Sequence, residues 1–263
     1  MPQGWRFIDS GAGSASFNMA LDEAIAASVR NGECPPTLRF YSWDRPSLSL
    51  GCFQKSSDLD LDYCRQSTIP FVRRPTGGRA VLHDDELTYS FSVRTDREPF
   101  SKGLMESYRR ISHVFDLAFR KIGIQVEPKM QRERGRVLTG NPLCFGSSSY
   151  GELLLNNRKI VGAAQKRWKD GLLQQGSIPY TGDKDMIVRI FGRKGSETGH
   201  ALYGLKELSQ DFDDQNFRKA VQEAFEETFR VSLLTSHPAP TEARLALELE
   251  RQRYLRDSWN LRL

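Results

Sequence analysis

The sequence predicts an α+β fold, a mostly antiparallel or mixed sheet flanked by helices. Two kinds of periodicity carry that prediction. Apolar residues recur at helical spacing over residues 14–30, 104–122 and 217–228, and with period two in the stretches between them. The resulting order is helix, strands, helix, strands, helix, which argues for a sheet covered by helices.

Phe17, Leu21, Ala24, Ile25 and Val29 form one stripe, with Ser14 or Ser16 as a cap and Gly32 beyond the end. TLRFYSW (37–43) and SLSLGCF (47–53) read as strands on either side of Asp44-Arg45-Pro46, and LTYSFSV (87–93) alternates Leu87, Tyr89, Phe91 and Val93. Leu104, Tyr108, Ile111, Phe115, Ala118, Phe119 and Ile122 trace a long amphipathic helix that stops before Gly123. GELLL, RKIVGAAQK and LLQQGSI read as a three-stranded meander, turning at Asn156-Asn157 and at Lys169-Asp170-Gly171. Phe217, Val221, Ala224, Phe225 and Thr228 make another helical stripe, and Leu245 and Leu249 follow in a last one after Thr241.

No internal repeat is visible, and neither the basic, Gly- and Pro-containing stretch 129–143 nor SHPAPT near 235–241 marks a second domain. The expectation is a single domain over 1–263, with a core over 32–237 and a C-terminal helix over 241–263. A chain of 263 residues buries a core without staples. Its four cysteines, Cys34, Cys52, Cys64 and Cys144, form no CxxC or His-rich pair, so neither a zinc site nor a disulfide framework is signalled. The N-terminal residues lack a signal pattern and no run approaches the roughly 18 apolar residues of a membrane span. A soluble cytoplasmic protein is expected, with no metal, no cofactor and no membrane partner.

Lys plus Arg is 38 against 33 Asp plus Glu, a net charge of +5. The charges are interspersed, and no helix-turn-helix, zinc-finger or RRM signature accompanies them, so nucleic acid is not the expected partner.

Chemistry concentrates in two stretches. FVRRPTGGRAVLHDDE (71–86) sets Gly77 and Gly78 among Arg73, Arg74 and Arg79. Paired glycines free the backbone to approach a ligand, but taken alone they read first as an ordinary β-turn. Neither a P-loop nor a dinucleotide pattern is present. Three close guanidiniums repel unless they face solvent, carboxylates or an anion, and Asp84, Asp85 and Glu86 are near enough in sequence to neutralise them. His83 ends the apolar run as a pocket-wall residue. In the second stretch, Cys144 precedes GELLL and Lys159 follows the Asn-Asn turn. An ammonium near a thiol favours the thiolate nucleophile. Taken singly, Cys144 reads as a small buried hydrophobe and Lys159 as a solvated hairpin tip.

RRPTGGRAVLHD (73–84) together with CFGSSSYGELLLNNRKIVGAAQKR (144–167) resembles the lipoate–protein ligase A-like family, in its stand-alone octanoyltransferase branch. The likeness extends from WRFIDSG and FNMALDEA through LRFYSW to Asp257-Ser258-Trp259-Asn260. It implies a biotin/lipoate protein ligase catalytic-domain fold and transfer of an octanoyl group from acyl carrier protein to a lysine of a lipoyl domain, such as glycine cleavage H protein. By the same resemblance Cys144 is the acyl-accepting nucleophile and Lys159 its assisting cation. Arg73, Arg74, Gly77, Gly78, Arg79 and His83, with Gly162 and Ala163, are then the substrate-binding set. Residues 148–152, Ser-Ser-Tyr-Gly-Glu, lack the family's usual proline and shift its tyrosine. Competing readings are an ATP-dependent lipoate–protein ligase, an amidotransferase between lipoyl domains, and a non-catalytic module that holds acylated carriers.

Overall fold

A computed structural model describes residues 3–128, 152–199 and 203–263. Strand β1 (Gln3–Gly13) leads into α1 (Ala15–Arg30), β2 (Thr37–Trp43) and β3 (Ser47–Leu50). Then come α2 (Leu61–Gln66), β4 (Phe71–Arg73), β5 (Val81–His83), β6 (Glu86–Arg94) and α3 (Leu104–Lys121). Strands β7 (Glu127–Pro128), β8 (Leu153–Leu155), β9 (Arg158–Lys159), β10 (Gly162–Arg167) and β11 (Gly171–Pro179) precede α4 (Lys184–Gly199), which is interrupted at Gly192. After α5 (Leu205–Leu208) follow α6 (Asp214–Phe229), β12 (Val231–Thr235), α7 (Pro240–Leu249) and α8 (Asp257–Asn260).

The main sheet is mixed, in the order β10-β11-β6-β2-β1-β12. β1 runs parallel to both its neighbours, and the other ladders are antiparallel. β6 shows why helices cover both faces. Its Leu87, Tyr89, Phe91 and Val93 join a core with Phe115 of α3 and Phe217 and Phe225 of α6; the Tyr89 and Phe115 ring centres are 4.5 Å apart. Burying each such side chain contributes about 1.5–3 kcal/mol. The alternate residues face α1, where Ser90 Oγ donates to Asp22 at 2.6 Å. α7 packs against α1 and is tied to β1 by the buried pair of Arg6 with Glu242, 2.6 Å apart.

The expected helices form where caps and stripes place them. Ser14 Oγ accepts the Phe17 amide at the start of α1, and Gly32 (φ 76°) follows its end. β1 lies inside the sheet and α1 lies against it, so residues before 32 belong to the same layers as the expected core. Segment 241–263 consists of most of α7, a π-helical turn over Glu250–Tyr254, and α8 after Leu255-Arg256. No helix among the described residues is long and apolar enough to cross a membrane.

Two expectations about strands need correction. SLSLGCF pairs only as far as Leu50; Gly51–Gln54 turn, with Gln54 N donating to Gly51 O at 3.0 Å, so Cys52 lies in a turn and not in a strand. The middle strand of the meander divides. β9 belongs to the small sheet β7-β8-β9 and β10 to the edge of the main sheet, because the chain passes between them at Ile160-Val161, both buried in the core. Asn156 and Asn157 turn the β8–β9 hairpin with φ of 51° and 60°, the left-handed pair that such a two-residue turn requires.

Candidate active site

The glycine segment does not form a hairpin turn. Its flanking strands β4 and β5 are not neighbours, since β3 lies between them in the order β4-β3-β5. Residues 74–80 therefore cross the end of β3, and the turn 51–54 meets them there. Cys52 N donates to Thr76 O at 2.8 Å and Arg74 N to Leu50 O at 3.0 Å. A Cβ on Gly51 would collide with the Gly78 carbonyl, so only glycine permits this approach. Gly78 has φ 85°, in the region that favours glycine.

Of the three arginines, two turn inward. Arg74 Nη1 donates to the carbonyl and hydroxyl of Ser49, both at 3.0 Å, and its Nη2 donates to the Gly77 and Arg79 carbonyls at 2.7 Å. Arg73 is wholly buried; its Nη1 reaches Gly51 O at 2.9 Å and Gln54 O at 2.6 Å, and its Nε reaches Asn260 O at 3.1 Å. Arg79 is half-buried at the loop. The acidic run nearby takes other partners: Asp85 pairs with Lys206 at 2.9 Å, and Glu86 pairs with His83. The two buried guanidiniums donate to backbone carbonyls and, from Arg74, to the Ser49 hydroxyl.

A narrow cleft opens beside the loop. Met19, Tyr41, Trp43 and Val81 give it apolar walls, and Arg74, His83, Gly162 and Ala163 line it as well. Arg73, Gly77, Gly78 and Arg79 do not; Gly78 stands at its border, where an added Cβ would lie 3.6 Å from the Ala164 Cβ. The sequence-predicted set thus divides into four wall residues and four that shape the loop behind them.

Beneath the walls lie two buried carboxylates that the sequence reading did not single out as site residues. Glu86 accepts from His83 Nδ1 at 2.7 Å, Ser177 Oγ at 2.5 Å, Trp43 Nε1 at 3.2 Å and the Thr88 hydroxyl. Burial pushes its carboxyl upward, but the charge of His83 and the bonds from His83, Ser177 and Thr88 hold it below the usual range. His83 Nε2 lies 2.7 Å from Ser49 Oγ, and its ring stacks on Trp43 at 4.0 Å. A continuous chain therefore runs Glu86, His83, Ser49, Arg74 to the glycine-loop carbonyls. Asp22, the second carboxylate, accepts from Arg39, Tyr41, Ser90 and Gln175, and Gln175 Oε1 accepts from Thr76 Oγ1 at 2.8 Å. Burial, then the Asp22 charge, raises the Tyr41 phenol well above its ordinary value.

Lys159 is not the solvated hairpin tip of the simpler reading. It is 4% exposed, pairs with Leu154 in the β8–β9 ladder, and donates from Nζ to Glu152 Oε1 at 2.7 Å. Glu152 lines a second, smaller cleft, which shares Ala163 with the first. Cys144 lies outside the described residues. Cys34 is half-buried, and Cys52 and Cys64 are buried; burial, helped by Asp60, pushes the Cys64 thiol up to about 11, away from thiolate chemistry. Among the described residues no group of three or more His, Cys, Asp or Glu side chains is placed to hold a metal ion.

Residues 14–226 match the model of the lipoyl protein ligase A/B catalytic domain. Octanoyltransferase LipM of Geobacillus kaustophilus is 36% identical over 272 residues, covering 98% of each chain, and that of Bacillus subtilis is 35% identical with 97% of each covered. Among solved structures, Ta0514 of T. acidophilum with bound lipoic acid, described as a lipoate protein ligase, superposes with a TM-score of 0.81 at 25% identity, covering all of both chains. A lipoate-protein ligase A bound with ATP gives the same TM-score and identity over 99% of each chain. The fold is that of the biotin/lipoate ligase catalytic domain expected from the motifs. The chain belongs to the lipoyl protein ligase A/B catalytic-domain family and is an acyltransferase.

Proposed function

We propose that this protein transfers an octanoyl group from octanoyl-acyl carrier protein to a lysine of a lipoyl domain, such as glycine cleavage H protein, through a thioester on Cys144. The observation that carries the reading is the burial of Lys159 against Glu152, which lines a cleft that shares Ala163 with the one walled by Arg74, His83, Gly162 and Ala163. A lysine is rarely withdrawn from water unless paired, and the apolar walls Met19, Tyr41, Trp43 and Val81 of the first cleft suit the chemistry of an acyl chain. The full-length similarity to LipM octanoyltransferases supports the acyl group named.

In the first half-reaction the Cys144 thiolate attacks the donor's thioester carbonyl, a C–S bond to the enzyme forms, and the donor C–S bond breaks. The released carrier thiolate takes up a proton. Lys159 supplies the positive charge that favours the Cys144 thiolate and the developing oxyanion. In the second half-reaction the neutral lysine amine of the lipoyl domain attacks the enzyme thioester, an amide forms, Cys144 leaves as thiolate, and the amine loses a proton. Thioester exchange changes free energy little, and amide formation drives the sequence without a nucleotide. A reduced cytoplasm keeps such a thiol available.

The test is to incubate the protein with octanoyl carrier protein and an unmodified lipoyl domain without ATP and to take the masses of all three. The expected result is an octanoyl mass on the enzyme and then on the lipoyl domain. Modification that appears only with ATP and free octanoate or lipoate overturns the reading in favour of a ligase, the chemistry suggested by the ATP-bound structural relative. An octanoylated lipoyl domain as the sole effective donor makes the protein an amidotransferase. Tight carrier binding without turnover makes it a holding module.

A further inference from the structure

The wholly buried Arg73 has a partner set that the proposed chemistry does not use. Its backbone is gripped on both sides by α8: Asn260 Oδ1 accepts the Arg73 N–H at 2.9 Å, and Trp259 Nε1 donates to the Arg73 carbonyl at 2.8 Å. Its guanidinium returns the contact to α8 through Nε to Asn260 O, and its Nη1 spans the turn 51–54 through the Gly51 and Gln54 carbonyls. Arg262 closes the same turn from outside, with Nη2 donating to Cys52 O at 3.0 Å while its guanidinium lies 3.9 Å from the Trp259 ring centre. Asn260 itself is held by its Nδ2 bond to Tyr254 O at 2.8 Å. The turn then fixes the glycine loop, through Cys52 N to Thr76 O and the close approach of Gly51 to the Gly78 carbonyl.

These contacts link α8 to the cleft through Arg73, the turn 51–54 and the glycine loop, with Arg262 as a second tie to the turn. Arg73 lies outside the cleft lining, its Nη2 is buried without an acceptor among the described residues, and burial together with the like charge of Arg262 lowers its affinity for a proton. A guanidinium so placed makes sense as a planar multi-carbonyl clamp, which a lysine cannot reproduce.

We propose that Arg73 is a positioning residue and that α8, through Trp259 and Asn260, holds the glycine loop in its acyl-binding shape. The word acyl-binding rests on the function proposed above; the positioning itself does not. The loop is held from a segment about 180 positions along the chain (the Arg73–Asn260 contact spans 187), so residues remote from the cleft control donor binding.

Two variants test this. Asn260→Ala removes the acceptor for the Arg73 amide, and Trp259→Phe removes only the indole donor while keeping a ring for Arg262, so it is the milder change if the first fails to fold. Backbone hydrogen exchange is followed in peptides covering 51–54 and 74–80 and, as a control, in β6 and α3. Single-turnover thioester formation is followed against octanoyl-carrier concentration. Loop exchange is expected to quicken about tenfold with the control peptides unchanged. Half-saturating donor concentration should rise about tenfold while the limiting rate changes less than about twofold. Exchange that quickens equally in β6 and α3, or loop exchange that stays at the wild-type level, overturns the proposal, as does a loss confined to the limiting rate. If the wild-type protein forms no thioester yet the exchange result holds, the positioning role stands and the proposed function falls.

Discussion

Lys159 Nζ lies 2.7 Å from Glu152 Oε1, and the two side chains are 3% and 9% exposed. A buried pair is costly to break by removing one member, because the other is left charged in a poorly solvating place. Glu152→Gln keeps the shape and an acceptor but removes the charge. It should lower stability by about 2–4 kcal/mol, read as a fall in the urea midpoint with unchanged slope. It should also slow thioester formation, since a neutral acceptor holds the Lys159 Nζ less firmly than a carboxylate does. Unchanged stability and rate together would show the pair to be incidental.

Cys144 and Lys159 separate by their replacements. Cys144→Ser should lose nearly all turnover and the hydroxylamine-labile octanoyl mass, whereas Cys34, Cys52 and Cys64 should accept Ser or Ala with the mass retained. Lys159→Ala should cost about 10²–10³ in the rate of thioester formation. Lys159→Arg should rescue poorly, because a planar fork must enter a space that closes around a compact ammonium. Full turnover in Cys144→Ala, or a thioester mapped to another cysteine, returns Cys144 to the role of a small hydrophobe.

The two loop glycines should not respond alike. Among the described residues a Cβ on Gly77 meets nothing within 4 Å, whereas one on Gly78 meets Arg74 Nη2 at 2.9 Å in a backbone conformation with φ 85°. Gly77→Ala should fold and acylate nearly as wild type. Gly78→Ala should carry about 1–3 kcal/mol of backbone strain and displace Arg74, raising the donor concentration needed for half-maximal acylation. Equal behaviour of the two variants in thermal denaturation and acylation would contradict this assignment.

Glu86 predicts an acid-side loss of stability. Its carboxyl is held below the usual range in the folded protein by His83, Ser177 and Thr88 against the opposing effect of burial. A depressed folded pKa means that its stabilisation is fully present above the unfolded value, about pH 4.3, and is lost as the pH falls through the lower folded value. The unfolding free energy of Glu86→Gln should therefore fall less steeply than that of wild type between about pH 5 and pH 3. Equal slopes in urea titrations at those pH values would remove Glu86 from the acid response.

Elements with a strong local signature were legible in the sequence. β2 runs from Thr37 to Trp43 as its composition predicts, and α1, α3 and α6 follow their apolar stripes and flanking caps. What escaped was long-range. The break at Ile160-Val161 is invisible in a continuous apolar run, because both halves read as strand and only the sheet order separates them. Glu86 ends an acidic triplet that reads as surface, yet it begins a strand that is buried from Glu86 to Val93. Lys159 reads as exposed because its partner, seven residues earlier, lies across a hairpin. Arg73 reads as ligand-facing because arginines are seldom buried without a carboxylate, and the carbonyls that receive it come from the turn 51–54 and from Asn260.

The placement of β3 between β4 and β5 makes the glycine loop a bridge of fixed span. Both ends are sewn into ladders with β3, at Leu50↔Arg73 and Ser47↔His83. Losing or gaining one residue within 74–80 would have to be absorbed by sliding β5 along β3, and a slip of one position exchanges the two faces of a strand. Val81 and His83 would turn away from the cleft, Leu82 would replace them, and the imidazole would part from Ser49 and Glu86. The distance between Arg73 and His83, counted in residues, is therefore itself a determinant of the site, and changes of length there should be tolerated less well than changes of side chain.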